Sequence, residues 1–125
     1  KDGTLVKRSR TEIERDIGNY TIVEHDGVIF ACAALYPYPE ARTGEMAAVT
    51  VSPQSQGQGD GEKILKRIEQ RARAMGLESI FVLTTRTMHW FIKRGFAQVD
   101  PEWLPEARKR KYNWDRKSQV LVKKL

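Results

Sequence analysis

The sequence predicts an α/β (α+β) domain: one β-sheet with helices packed over it. Three observations predict this class. Short β-branched or apolar runs recur along the chain, a two-residue turn signal joins the first two of them, and a long amphipathic pattern lies between two later ones, as in a crossover joining parallel strands. At 125 residues there is room for one core, not two.

The elements follow in order. Ser9-Arg-Thr-Glu12 has the form of a capping box, and Ile13 and Ile17 behind it predict a short helix ending near Gly18. Tyr20 to Glu24 and Val28 to Leu35 are strands, joined at Asp26-Gly27, where both positions accept positive φ. "VIFACAAL" is apolar on both faces, which suits a central strand, and Pro37 and Pro39 are expected to end it. Glu45 to Val51 is the next strand. From Glu62 the apolar residues Ile64, Leu65, Ile68, Ala72 and Met75 form one helical face, with Lys63, Lys66, Arg67, Glu69, Gln70, Arg71 and Arg73 outward and Gly76 as the stop. Ser79 to Thr85 is a buried strand, parallel to the preceding one with a right-handed crossover. Met88 to Arg94 is a shorter helix, stopped by Gly95, and "FAQV" begins another strand. Residues 100–115, with two prolines and two tryptophans, predict an irregular excursion anchored by its aromatics. Ser118 to Val122 pairs back into the sheet.

Composition narrows the function classes. No apolar run reaches the roughly 18 residues of a membrane helix, and no signal peptide opens the chain, so cytoplasm is the default compartment. A lone Cys32 excludes an internal disulfide and, with only His25 and His89, a Cys/His zinc site of ordinary ligand count. Cys32 reads as a small buried apolar residue and His89 as a packing or surface histidine. The net charge of +6 resides in residues 106–125, which hold eight Lys or Arg against Glu106 and Asp115; the other 105 residues balance at fourteen of each sign. Such a tail attracts nucleic acid, an acidic substrate or another subunit, or is simply a solvated face.

Three glycines in five positions, Gly57, Gly59 and Gly61, stand at the entrance of the long helix. A strand leading through "QGQGDG" into a helix sets several unobstructed N–H groups where four donors lack intrahelical partners and the dipole is positive. That is a phosphate or pyrophosphate cradle, or else an ordinary turn. It is not a P-loop, since no Gly-Lys-Ser/Thr occurs, nor a dinucleotide fingerprint, since the third glycine comes too early.

Val49-Thr-Val51-Ser-Pro53, then Gln56-x-x-Gly59-x-Gly61 and an amphipathic helix, resembles the acetyl-coenzyme A motif of the GNAT superfamily of N-acetyltransferases. In that motif Gln or Arg is followed after two residues by Gly, and after one more by Gly or Ala. "ACAALYPYPE", "GEMAAVTV", "FVLTTRTMHWFIKRGF" and "LPEARKRKYNWDRKSQVL" extend the likeness from about Gly3 onward to the acetyltransferase domain of the bacterial N-acetylglutamate synthases. The resemblance implies a mixed sheet of about six to seven strands whose parallel pair splays apart to bind acetyl-CoA, with no metal.

Carried over position by position, it implies that the backbone of Gln56, Gly57, Gln58, Gly59, Asp60 and Gly61 holds the pyrophosphate. The backbone of Ala48, Val49 and Val51 meets the pantetheine arm, Ala48 N–H polarising the thioester carbonyl. Glu45 matches the glutamate that acts as base through a water; otherwise it is a surface residue starting a strand. For the acid, Phe91 stands where many members carry tyrosine, and Thr84 matches a serine of the synthases; otherwise Thr84 is a strand-end hydroxyl bonded to backbone, and the thiolate leaves with a proton from water. L-Glutamate is the implied partner, its two carboxylates held by Arg8 and by Arg116 with Ser118; Lys7 is the alternate for the first anchor and Arg86 a weaker one. Gln56 replaces the commoner arginine and Asp60 adds a negative charge, so backbone and helix dipole must supply most of the attraction.

The resemblance further implies a longer protein whose N-terminal amino-acid-kinase-like domain, absent from these 125 residues, drives homo-oligomeric assembly; a first residue other than Met fits that expectation. Neither nucleic acid nor membrane is an implied partner. The rival readings are a nucleic-acid module using Arg108 to Lys111 with Tyr112 and Trp114, a GNAT enzyme for another small amine, and a silent cofactor-holding domain.

Overall fold

Each apolar run condenses into a strand, with boundaries set by pairing more than by composition. A computed structural model of the chain describes residues 19–52, 59–112 and 116–125. The expected helix after Ser9 lies outside these residues. β1 (Tyr20–His25) and β2 (Val28–Tyr38) form the hairpin, and Asp26 (φ 53°) with Gly27 (φ 79°) closes its two-residue turn. There follow β3 (Thr43–Val51), helix α1 (Asp60–Ala74), β4 (Ser79–Thr84), the short helix α2 (Met88–Ile92), β5 (Ala97–Val99), the one-turn helix α3 (Glu106–Lys109) and β6 (Gln119–Lys124). The strands make one six-stranded mixed sheet in the order β1-β2-β3-β4-β6-β5. β3 and β4 run parallel, and every other neighbouring pair is antiparallel.

Two boundaries depart from expectation for physical reasons. β2 does not stop at Pro37: it continues to Tyr38, with Pro37 opposite Gly44. β1 reaches only to Ala34, so at Pro37 the strand has β3 alone as partner among the described residues, and a missing N–H need break no ladder bond there. α1 starts two residues early, at Asp60, because Gly59 (φ 81°) already makes the left-handed step into the helix. The excursion at 100–112 is not wholly irregular, since it contains a 3-10 turn (Pro101–Trp103) besides α3.

Alternation along the central strands divides the core between the two faces of the sheet. Ile80 and Val82 of β4 and Leu121 of β6 join Ile64, Leu65, Ile68 and Ala72 of α1 in one cluster. Phe81 and Val120 face the other way and meet Leu104 and Tyr112 of the excursion. Burying each of these large side chains contributes about 1.5–3 kcal/mol. Trp103 sets its ring edge against Phe81, with centroids 5.7 Å apart, and Tyr112 Oη donates to Ser118 O at 2.6 Å. Aromatic anchoring thus holds for Trp103 and Tyr112, while Trp114 lies outside the described residues.

The polar face of α1 is not simply solvated. Arg67 donates to Ile22 O (2.7 Å), and Arg71 donates to Tyr20 O (3.1 Å) and Thr21 Oγ1 (2.6 Å), tying the helix to strand β1. Glu69, expected outward, is buried and accepts from Lys123 Nζ of β6 at 2.6 Å. These bonds explain why charged positions of the helix lie over the sheet: the long stems of arginine and lysine cover apolar surface while their heads find acceptors.

Of the described glycines, Gly44 is the most tightly enclosed. A Cβ there would lie 2.9 Å from Leu35 Cδ1 and 3.0 Å from Leu77 Cδ1. Gly44→Ala is expected to lower the unfolding free energy by about 1–3 kcal/mol, read by urea denaturation with tryptophan fluorescence.

Candidate active site

The functional geometry begins where a ladder stops. β3 and β4 share three residue pairs, Thr43 with Ser79, Gly44 with Ile80 and Glu45 with Phe81. The closed end is pinned by buried hydroxyls: Ser79 Oγ donates to Thr43 Oγ1 at 2.8 Å, which donates to Ser79 O at 3.2 Å. Just before it, Glu78 N donates to Arg42 O at 2.7 Å. Past Glu45, β3 keeps its partner β2 and β4 keeps β6, but the two strands no longer pair with each other.

The cause lies within β3. Between the pairs Ala34–Ala47 and Cys32–Thr50, β3 carries one residue more than β2, and Ala48 takes a φ of 54°. Such a bulge bends its strand and increases local twist, which carries β3 away from β4. Val49 and Val51 meanwhile pack their side chains on the core cluster. From Met46 to Val51, therefore, the β4 side of the strand offers backbone groups that have no strand partner among the described residues. An extended ligand could bond there as a strand would.

Val51 leads on toward α1. Gln56, Gly57 and Gln58 lie outside the described residues, and Gly59, Asp60 and Gly61 form the entrance of the helix. The two described glycines serve different ends. Gly59 supplies the left-handed N-cap, whereas Gly61 supplies closeness: a Cβ on it would lie 3.1 Å from Trp90 Cζ2. Trp90 is fixed in turn by Arg94, whose guanidinium lies 3.9 Å from the ring centroid and whose Nη1 donates to Trp90 O at 3.0 Å. Asp60 is 2% exposed in the first turn, its Oδ1 3.8 Å from Lys63 Nζ. Its charge stays at the helix start, as expected, where it suits the dipole and opposes an incoming anion.

Glu45 is the last residue of β3 before the strands part, so its carboxylate stands at the apex of the wedge. It is 8% exposed and is held by Arg108 of α3, Nε to Oε1 at 2.6 Å and Nη2 to Oε2 at 3.3 Å. It is no surface residue. Nearby Tyr38 has its phenol pKa raised, first by burial and then by the Glu45 carboxylate, with Arg108 opposing. Arg108 was missed in the sequence, where it reads as one of four consecutive cations; a partner 63 residues away leaves no spacing signal. Lys109 beside it is also engaged, with Glu102 (3.2 Å) and Glu106 (3.1 Å), so two of the four cations that the rival nucleic-acid reading would use are in ion pairs.

Thr84 closes β4 and enters the turn to α2. Its hydroxyl oxygen accepts from Arg86 N (3.2 Å) and Thr87 N (3.0 Å) and lies 2.9 Å from Thr87 Oγ1. Two backbone donors thus hold this oxygen in the turn, and the hydroxyls of Thr84 and Thr87 bond to each other. Gln119 pairs opposite Thr84, and the adjacent Ser118 helps line an open depression of about 380 Å³ bounded also by Gln98, Asp100 and Pro101. Arg116 is exposed two residues before Ser118, as is Arg86. Arg8 and Lys7 lie outside the described residues. Among the described residues no group of His, Cys, Asp or Glu is placed to hold a metal ion, and no helix is long and apolar enough to cross a membrane.

Comparison with known proteins agrees with this geometry. The model of the Acetyltransferase (GNAT) family matches residues 3–96. An amino-acid acetyltransferase of Ralstonia nicotianae is 61% identical over 99% of this chain, and one of Azotobacter vinelandii is 52% identical over all of this chain. The chain spans 28% and 29% of those relatives. The solved N-acetylglutamate synthase of Neisseria gonorrhoeae, complexed with coenzyme A and N-acetyl-glutamate, superposes with a TM-score of 0.91 at 43% identity; the match covers 97% of this chain and 29% of that one. An acetyltransferase of Staphylococcus aureus at 14% identity, with a TM-score of 0.79, shares the fold alone.

The bulge makes a direct demand on position 48. A β-branched side chain is strained at positive φ, so Ala48→Val should cost about 1–3 kcal/mol, whereas Ala48→Gly should be tolerated. Paired denaturation curves check the difference.

Proposed function

This chain belongs to the GNAT acetyltransferase family, and from that premise we propose that it transfers the acetyl group of acetyl-CoA to the α-amino group of L-glutamate, giving N-acetyl-L-glutamate and CoA as the first step of arginine biosynthesis. The observation that carries the proposal is the wedge between β3 and β4, with a buried carboxylate at its apex and a glycine-capped helix following its exposed strand. The curated relatives named amino-acid acetyltransferase support the reaction, and the gonococcal complex with N-acetyl-glutamate supports the substrate.

Bound acetyl-CoA would supply an activated thioester. The chain's own groups do the rest. The residues present fit the cosubstrate: β3 past Glu45 has no strand partner on its β4 side among the described residues, which suits an amide-bearing arm, and α1 begins with N–H groups that its own ladder cannot satisfy. Gln56, Gly57, Gln58, Gly59, Asp60 and Gly61 hold the pyrophosphate through their backbone. Val49 and Val51 align the arm, and Ala48 N–H, turned by its positive φ, polarises the carbonyl under attack. Glu45 takes the ammonium proton through a water, leaving the amine lone pair for the thioester carbon. Thr84 shapes the turn at the end of β4, and the departing thiolate takes its proton from water.

Arg8 and Arg116 with Ser118 bind the two carboxylates of glutamate. Two separated guanidinium groups favour an acidic amino acid over a neutral one, because each carboxylate gains a charge-assisted, two-point contact that a neutral side chain cannot make. The protein is read as cytoplasmic, and its homo-oligomeric assembly is assigned to a further, N-terminal domain.

Acetyl-CoA should bind in a calorimetric titration, and glutamate should then release free thiol at a steady rate. Absence of cofactor binding would sink the proposal. Glu45→Gln should lower kcat by about 10²–10⁴-fold, the usual contribution of a general base. Arg116→Ala should raise the KM for glutamate by about tenfold or more, as loss of a charge-assisted pair requires, while leaving that for acetyl-CoA unchanged.

A further inference from the structure

We infer that Arg108 is a positioning residue for catalysis, acting through Glu45: its guanidinium fork holds the carboxylate at the apex of the wedge in the orientation that presents its remaining lone pairs to the reacting amine. The inference rests on the reading of Glu45 as the base. Its geometric ground is the two-point contact between Nε and Oε1 (2.6 Å) and between Nη2 and Oε2 (3.3 Å). A carboxylate offers about four lone-pair sites, and a bidentate arginine uses two of them, one on each oxygen. Two therefore stay open for a water and, through it, for substrate.

The mounting of Arg108 explains how such a contact is held. Glu45 lies on the sheet face covered by residues 100–112, and a glutamate with three rotatable bonds would otherwise sweep a wide arc there. α3 is only four residues long, but it is braced at both ends. On one side Trp103 lies edge-on to Phe81, the residue paired with Glu45 across the ladder, and Leu104 is buried. On the other, Tyr112 is buried and bonds to Ser118 O at 2.6 Å. Arg108 N donates to Pro105 O at 2.9 Å, fixing the backbone that carries the fork. Through Arg108 and Tyr112 the covering segment thus contacts both Glu45 and the backbone of Ser118, one of the proposed substrate anchors. A lysine would supply charge without the fork.

A double-mutant cycle in the protein as its gene encodes it tests this. Arg108→Gln is expected to lower kcat about 10- to 100-fold, the scale of a misplaced catalytic group, with KM for acetyl-CoA and for glutamate within about threefold of wild type. In the Glu45→Gln background the same change should alter kcat by less than about twofold, because the group it positions is gone. Arg108→Lys should fall between, with an unchanged Tm; should Arg108→Gln fold poorly, this variant carries the test. Wild-type kcat in Arg108→Lys and Arg108→Gln overturns the inference. Equal losses in both backgrounds also overturn it, since Arg108 would then act independently of Glu45. A raised glutamate KM with unchanged kcat overturns it in favour of direct substrate binding. Full activity in Glu45→Gln alone removes the base reading on which the inference stands, whereas an inactive Glu45→Gln beside a fully active Arg108→Gln removes the inference only.

Discussion

Two parallel strands that share three residue pairs and then part leave β3 amides with no strand partner among the described residues, in the middle of a sheet. The chain holds this open state from both sides. At the closed end Thr43 and Ser79 bond through their hydroxyls, and Gly44 lets Leu35 and Leu77 approach so closely that even a methyl group would force them to shift. Beyond it the extra residue at Ala48 bends β3 while its ladder to β2 is resumed at Thr50. β4 keeps its antiparallel partner β6 over all six residues, so it stays in the sheet while β3 departs. The gap is therefore a built feature of the fold, and the carboxylate, the turned alanine and the helix entrance are all placed relative to it.

Electrostatics bind the layers together more than the composition suggests. Arg67 and Arg71 tie α1 to β1, Lys123 reaches Glu69 from β6, and Arg108 reaches Glu45 from the covering segment. Exposed pairs such as Arg42 with Glu78 contribute little, because water screens them. The Arg108–Glu45 pair differs in being mostly withdrawn from solvent, where removing one partner strands the other. A basic C-terminal region thus serves internal contacts with at least three of its cations: Arg108, Lys109 and Lys123.

The order of strands and helices was legible because it rests on local signals: the continuous apolar run in "SIFVLTT", the helical face of Ile64, Leu65, Ile68 and Ala72, and the turn at Asp26-Gly27. What escaped was set by distant partners. Pro37 reads as a strand terminator until one knows that β1 has already ended beside it. Glu69 reads as solvated until Lys123 appears opposite, and Arg108 as one cation of a run until Glu45 does. Among site residues, Glu45, Ala48 and Gly59 stood out by motif position. The turned backbone of Ala48, by contrast, depends on a register count against β2 that no single strand discloses.

The contact between Gly61 and Trp90 carries a consequence for sequence variation in the family. The last position of the cofactor motif accepts glycine or alanine in general, but with a tryptophan ring 3.1 Å from where a Cβ would stand, alanine here requires that ring to give by a few tenths of an ångström. The two positions are therefore coupled through volume. Lineages that drift to alanine at position 61 should carry a smaller residue at 90, and lose with it the platform on which Arg94 rests. A position usually counted as recognition of the cofactor is here decided instead by the girth of a neighbour on another helix.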